Sequence, residues 1–249
     1  PSIYGDVMKE RAAIELAKNY PFDAPEGDFL FRDGKVLPYA EIASPCVPVV
    51  AFGSNAAPQH LARKFADLPG TAISVQEIEL HDLDIVYSAH LTRYASIPAT
   101  LAPSPGTVVR CHLTLVPEER LGRLHESELG RTLEATTNYS FGRLEQTRAR
   151  RPDGSAVSGL HAYLCNHGVC GFDEAPIALS ARWAEGRRFA AASEADVLEA
   201  ARQHLAPELA LDDFIRTALG DAHQRAAWTH ALRGTAHAAM VPGFKSLAP

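Results

Sequence analysis

The stretch from Val47 to Phe65, VPVVAFGSNAAPQHLARKF, decides how the rest of the chain is read. An apolar run passes directly into Gly53, Ser54 and Asn55, and a polar helical pattern opens at Pro58. A buried strand that turns into a helix in this way leaves several backbone N–H groups unpaired at one point, where the helix dipole is also positive. Such a point can hold an anion. Gly, Ser and Asn are also ordinary turn residues, which supply backbone freedom and local hydrogen bonds. The junction is therefore a plain turn or one half of a site, and the rest of the chain has to decide which.

Composition narrows the choice of partner. The 249 residues are 46% hydrophobic and 22% charged, as expected of a globular chain with ample core-forming residues. A formal net charge of -6 argues against a general nucleic-acid binder, which needs a concentrated basic surface. A small molecule is the expected ligand, and a homo-oligomer is a further possible partner. No apolar run reaches membrane-spanning length, and the opening PSIYGDVMKERAAIEL lacks a hydrophobic signal region, so a cytoplasmic location without membrane contact is expected.

The cysteines Cys46, Cys111, Cys165 and Cys170 are too few and scattered for a disulfide scaffold, so reduced thiols are expected. HAYLCNHGVC gathers His161, Cys165, His167 and Cys170, but the spacing differs from paired zinc knuckles. Strand alternation instead sends His161, Tyr163 and Cys165 to one face as half-buried packing, and no metal is expected.

The element pattern is that of an α+β chain. A helix is predicted over residues 6–19, followed by a hairpin in DFLFRDGKVLPYAEI with a tight turn at Asp33-Gly34. Together they form an N-terminal appendage, residues 1–46. Branched residues predict strands in TAISVQEIEL, LDIVYSAHL and TVVRCHLTLV, with a helix from Pro117 to about Glu128. Strands are predicted again around 133–146 and 159–165, joined by a turn at Pro152-Asp153-Gly154. The arginines Arg148, Arg150 and Arg151 beside that turn read as a solvated hairpin tip. Residues 47–190 make the central unit.

Residues 191–249 change character. Ser193 and Asp196 form a helix cap ahead of Val197, Leu198, Ala201 and Leu205. Two further apolar stripes follow, Leu211, Phe214, Ile215, Ala218 and Leu219, then Ala227, Trp228, Ala231 and Leu232. This extension is read as a structural cover or subunit contact, without a catalytic role.

Chemistry beside Gly53–Asn55 needs an ionisable group, and the helix PEERLGRLHESELGRT offers Glu126 and Glu128 near its end. Surface glutamates on helices are common, so their position alone decides nothing. The order of these pieces, however, resembles the gamma-glutamylcyclotransferase-like superfamily. Phe52, Gly53, Ser54 and Asn55 match its Tyr-Gly-Ser-Asn loop, Ser104, Pro105 and Gly106 its Pro-Gly turn, and Leu124 and Glu128 its Leu-Asp-x-x-Glu-Gly motif. The resemblance spans about 47–184. His125 stands where the family has Asp, Leu129 where it has Gly, and Phe52 where it has Tyr.

The resemblance implies a small mixed beta-barrel that needs no cofactor and releases 5-oxoproline and an amine from a gamma-glutamyl compound. By that likeness Glu128 would take a proton from the substrate's α-ammonium and return one to the leaving nitrogen, while Gly53, Ser54 and Asn55 hold a carboxylate or the developing oxyanion. Arg93 and Tyr94, in the loop before the proline-containing segment, are further candidate substrate contacts. Ser54 is not read as a nucleophile, because the Gly-x-Ser-x-Gly elbow is absent. The competing expectations are a binding or regulatory protein that has lost turnover, and an enzyme acting on another amide.

Overall fold

Two long, branched-residue-rich segments carry the architecture. The computed structural model describes residues 3–129, 137–172 and 175–247. Its elements begin with helix α1 (Ile3–Lys18), the hairpin β1 (Phe29–Arg32) and β2 (Lys35–Pro38), strand β3 (Cys46–Ala51), a short 3-10 turn (Ser54–Ala56) and helix α2 (Pro58–Lys64). The strands β4 (Ala72–Tyr87) and β5 (Ala99–Pro117) follow, then helix α3 (Glu118–Glu128). Strands β6 (Tyr139–Leu144), β7 (Arg148–Arg150), β8 (Ala156–Val157) and β9 (His161–Cys165) precede three two-residue strands, β10 (Ala178–Leu179), β11 (Ala184–Glu185) and β12 (Ala191–Ala192). Helices α4 (Glu194–Leu205), α5 (Leu211–Gly220) and α6 (Ala222–Gly234) and strand β13 (Phe244–Ser246) complete the order.

The two strands expected at 71–80 and 83–91 are one strand, β4. Asp82 takes a left-handed φ of 61° and absorbs the interruption as a bulge between His81 and Leu83. The turn expected at Ser104–Gly106 is likewise absorbed inside β5, opposite that bulge. Gly106, at φ 85°, donates its N–H to Asp82 Oδ1 at 2.9 Å, and the Ser104 and Thr107 hydroxyls bond each other at 2.7 Å. Across these paired irregularities the register shifts, from His81↔Val108 to Leu83↔Pro103, and the ladder resumes on the far side. The Asp33-Gly34 turn is as expected, with φ of 46° and 82° joining Arg32 to Lys35.

The hydrogen-bonded path runs β12-β10-β4-β5-β3-β9-β6-β13, mostly antiparallel, with the β12–β10 and β3–β9 pairs parallel. Its end strands are not paired with each other, so closure into the expected barrel is not seen among the described residues. The fold is α+β with an open, curled sheet. Strand β6 lies within the segment expected at 133–146, of which 133–136 fall outside the described residues.

The N-terminal segment is tied into this sheet: β1 pairs with β4 from Phe29↔Val75 to Arg32↔Ala72. One apolar cluster joins Ile14 and Tyr20 of that segment to Ile85 and Leu101 of the sheet and to Leu198, Phe214 and Leu232 of the C-terminal helices. Phe214 and Trp228 stack at 4.4 Å, and burying each such side chain is worth about 1.5–3 kcal/mol. Helix α4 opens with the expected capping box, Ser193 Oγ accepting from Asp196 N and Asp196 Oδ2 from Ser193 N, each at 3.2 Å. In α6 the expected stripe is shifted: Ala227 and Ala231 are exposed, whereas Trp228, Thr229 and Leu232 are buried.

Candidate functional site

The turn after β3 is held from behind by two residues that come from elsewhere in the chain. Arg182 donates to the carbonyls of Phe52 at 3.2 Å and Gly53 at 2.9 Å. Tyr20 packs its hydroxyl against Gly53, where any Cβ would overlap it, and accepts a hydrogen bond from Ala99 N at 2.8 Å. Glycine at 53 is thus required by a close approach. Among the described residues, the N–H groups of Gly53, Ser54 and Asn55 donate to nothing outside the turn. They remain open to a ligand.

Helices α2 and α3 both end beside this turn. Lys64, the last residue of α2, donates to Asn55 Oδ1 at 2.5 Å and forms an ion pair with Glu128, the last residue of α3. Lys64 therefore joins the two halves of the predicted site. The Glu128 carboxylate also accepts from Ser127 Oγ at 3.3 Å.

The departures around Glu128 have local explanations. Tyr163 Oη bonds His125 Nδ1 at 2.9 Å, and Phe141 meets that ring edge-on at 4.7 Å, so β6 and β9 engage the imidazole. Burial pushes the His125 pKa down, and burial together with the Glu128 charge pushes the Tyr163 phenol up, so that pair stays neutral. Leu129 caps α3 with φ -96° and donates to His125 O at 2.8 Å, a conformation that does not call for glycine.

All seven residues expected from the sequence, Phe52, Gly53, Ser54, Asn55, Arg93, Tyr94 and Glu128, line one cavity of about 680 Å3. Arg93 and Tyr94 sit in the loop 88–98, which the C-terminal helices hold in place. Leu91 N donates to Thr229 Oγ1 of α6 at 3.1 Å, and Ile97 N to Glu194 Oε1 of α4 at 2.6 Å. Glu194 is buried with Oε2 unpartnered, and burial pushes its carboxyl well above the usual range.

The sequence reading missed two contributors to this cavity. Helix α6 lines it with Ala222, Arg225, Ala226, Thr229 and Arg233, which share a face at helical spacing. The extension read as a purely structural cover thus forms a wall of the pocket. From the N-terminal segment come Tyr20 and Phe22, the latter stacked on His60 at 4.3 Å. His60 and His90 are both lowered to about 3, the first by burial, Arg63 and Lys64, the second by burial, His167 and Arg233. Both are neutral near pH 7.

The segment considered for zinc does not converge. His161 stacks on Phe141 at 5.4 Å, Cys165 Sγ lies 3.7 Å from His90 Nδ1, and Cys170 is buried in the main core. Burial raises the Cys165 thiol to about 11. Among the described residues no group of three or more His, Cys, Asp or Glu is placed to hold a metal. The arginine-rich hairpin lies outside the cavity: Arg148 pairs with Asp82 at 2.7 Å, and Arg151 donates to Gln76 Oε1 at 2.7 Å. No helix among the described residues is long and apolar enough to cross a membrane.

Two solved structures match rather more than half of the chain. One is a gamma-glutamyl cyclotransferase, 16% identical over 56% of this chain and 67% of that one, with a TM-score of 0.35. Another is an uncharacterized protein from Homo sapiens, 18% identical over 57% and 68% of the two chains, with a TM-score of 0.36. Both likenesses are slight, and neither bears on the chemistry of the site. No family model and no curated protein matches the chain.

Proposed function

We propose that the cavity is a cofactor-independent active site that cyclises the gamma-glutamyl part of an amide or peptide to 5-oxoproline. The observation that carries this reading is the convergence of the Gly53–Asn55 turn and Glu128, 73 residues apart from Asn55, through the shared Lys64 ammonium. In the proposed reaction Glu128 removes a proton from the substrate's α-ammonium, and the freed amine attacks the γ-carbonyl carbon. A C–N bond forms and the carbonyl oxygen becomes an oxyanion facing the N–H groups of the turn; as it collapses the original C–N bond breaks, Glu128 passes its proton to the departing nitrogen, and the ring nitrogen gives its second proton to the released amine, which leaves as an ammonium. The cavity wall folds the substrate so that its two ends meet, which replaces a costly ordering step.

The test is Glu128→Gln. Glutamine keeps the volume and accepts hydrogen bonds but takes no proton, so 5-oxoproline release from a panel of gamma-glutamyl amides should fall on the order of a hundred- to ten-thousand-fold. A variant as fast as wild type would remove Glu128 from the mechanism. The ion pair itself favours a second reading, a binding protein without turnover, because Lys64 already engages the carboxylate. Ligand-dependent thermal stabilisation of the wild type without product would support that reading instead.

A further inference from the structure

Among the described residues the cavity carries more cations than carboxylates, in a chain of net charge -6. It is lined by the cations Arg63, Lys64, Arg93, Arg123, Arg225 and Arg233 against the carboxylates Glu126 and Glu128. Lys64 is matched by Glu128, and Arg123 by Asp67 and Glu126. Among the described residues, Arg63, Arg93 and Arg225 form no ion pair, although the Asp221 carboxylate one turn before Arg225 acts on it through space.

Their placement is organised. The Arg63 and Arg93 guanidinium carbons lie 4.5 and 4.7 Å from the centre of the one Tyr94 ring, and Arg93 also donates to the Tyr94 hydroxyl. Both side chains are exposed, so water screens the repulsion between the two like charges gathered on one ring, and an anion beside them would remove the rest. Arg225, half-buried on α6, is anchored by Nη1 to Ala218 O at 2.5 Å. Guanidinium is the group suited to bidentate recognition of carboxylate or phosphate, and it stays charged at every physiological pH.

We infer that the ligand's amine portion is itself an anion carrying at least two negative charges, received by Arg63, Arg93 and Arg225. This rests on the cyclotransferase reading for one end of the ligand only. A γ-glutamyl head is zwitterionic at its α-carbon and cannot offset three unmatched guanidiniums. The charge that does so must lie beyond the scissile amide, as a dicarboxylate or a phosphate.

The experiment is calorimetry on the full chain with γ-glutamyl amides that differ only in the amine: ethylamine, glycine, aspartate and phosphoethanolamine. Inorganic pyrophosphate serves as a probe lacking the glutamyl head. Binding of the aspartate or phosphoethanolamine amide at least tenfold tighter than the ethylamide is expected, weakening with salt. The preference should approach parity in Arg93→Gln, whose side chain is exposed, and in Arg225→Gln, and return in Arg225→Lys. A stronger response to the aspartate amide identifies the dicarboxylate, and to the phosphoethanolamine amide the phosphate. Pyrophosphate binding that is lost in the arginine variants, with no γ-glutamyl amide bound, would uphold the anion site while removing the cyclotransferase reading. Equal or tighter binding of the ethylamide, or no binding of any anionic probe, overturns the inference.

Discussion

The Lys64 ammonium binds the Glu128 carboxylate and, 2.5 Å away, the Asn55 amide oxygen, so the ends of two helices and a strand-exit turn meet at one cation. The two side chains of the ion pair are only 9% and 17% exposed, too little for water to replace a lost partner. Lys64→Met should therefore destabilise the fold on the order of 3 kcal/mol, because it leaves a largely buried carboxylate unpaired. Removing both charges in Lys64→Met/Glu128→Gln should recover much of that loss. Denaturant titration of the four proteins checks this; strictly additive losses would show that the pair is not coupled.

Gly53 is fixed by packing as much as by the turn. In Gly53→Ala the new methyl meets the Tyr20 hydroxyl, so the turn or the N-terminal segment must shift. A loss of about 2 kcal/mol is expected, in the range of overpacked sites. Tyr20→Phe on that background should restore part of it, although Ala99 N–H then loses its acceptor. If Gly53→Ala melts like wild type, the close approach does not constrain the turn.

Much of this site was legible in the sequence. Strand-turn-helix chemistry around Gly53 and the helix ending at Glu128 are local patterns, and local propensities agree with the fold there. Lys64 lay inside the decisive stretch, but only tertiary packing brings it to Glu128. Arg182 and Tyr20 hold the turn from 129 and 33 residues away, a relationship that no local spacing encodes. On α6 the helical periodicity was visible, yet Ala227 and Ala231 passed for core because alanine carries little signal about which face it occupies. Arg225 and Arg233 share a face with Ala222, Ala226 and Thr229, and that polar stripe was the missed sign of a pocket wall. The two strand segments on either side of Asp82 are one strand because its left-handed φ of 61° forms a bulge, and Asp suits turns and left-handed backbone alike.

Buried histidines should set the acid limit of stability. Burial, the largest cause at each, pushes His60 and His90 down to about 3 and His112 down to about 4 in the folded chain. Unfolded histidine takes its proton near about 6.5. Between those values the unfolded state binds more protons, so these groups leave stability unchanged above about pH 6.5 and lower it progressively as pH falls toward 3–4. His112 faces Phe29 edge-on at 6.2 Å, with Arg182 and Asp28 acting on it in opposite directions, so His112→Phe removes one titrating group at a largely buried site. Its unfolding free energy relative to wild type should improve between pH 7.5 and pH 5. A difference that does not change with pH would exclude His112 from the acid limb.

Helix α6 should hold the start of the loop 88–98 through the bond from Leu91 N–H to Thr229 Oγ1, while α4 holds its end through Glu194. Thr229 and Leu91 are both buried, and the Thr229 hydroxyl is the acceptor for Leu91 N–H two residues before Arg93. Thr229→Val keeps the shape but leaves that N–H without a partner, at a cost of about 1–3 kcal/mol. Because the bond anchors the start of the loop bearing Arg93 and Tyr94, the variant should also bind its ligands more weakly, even if Glu128 and its ion pair are untouched. Amide hydrogen exchange is the direct readout: Leu91 and its neighbours should lose protection while the β4 and β5 interiors keep theirs. Unchanged protection at Leu91, with ligand affinity equal to wild type, would mean that α6 covers the pocket without positioning its loop.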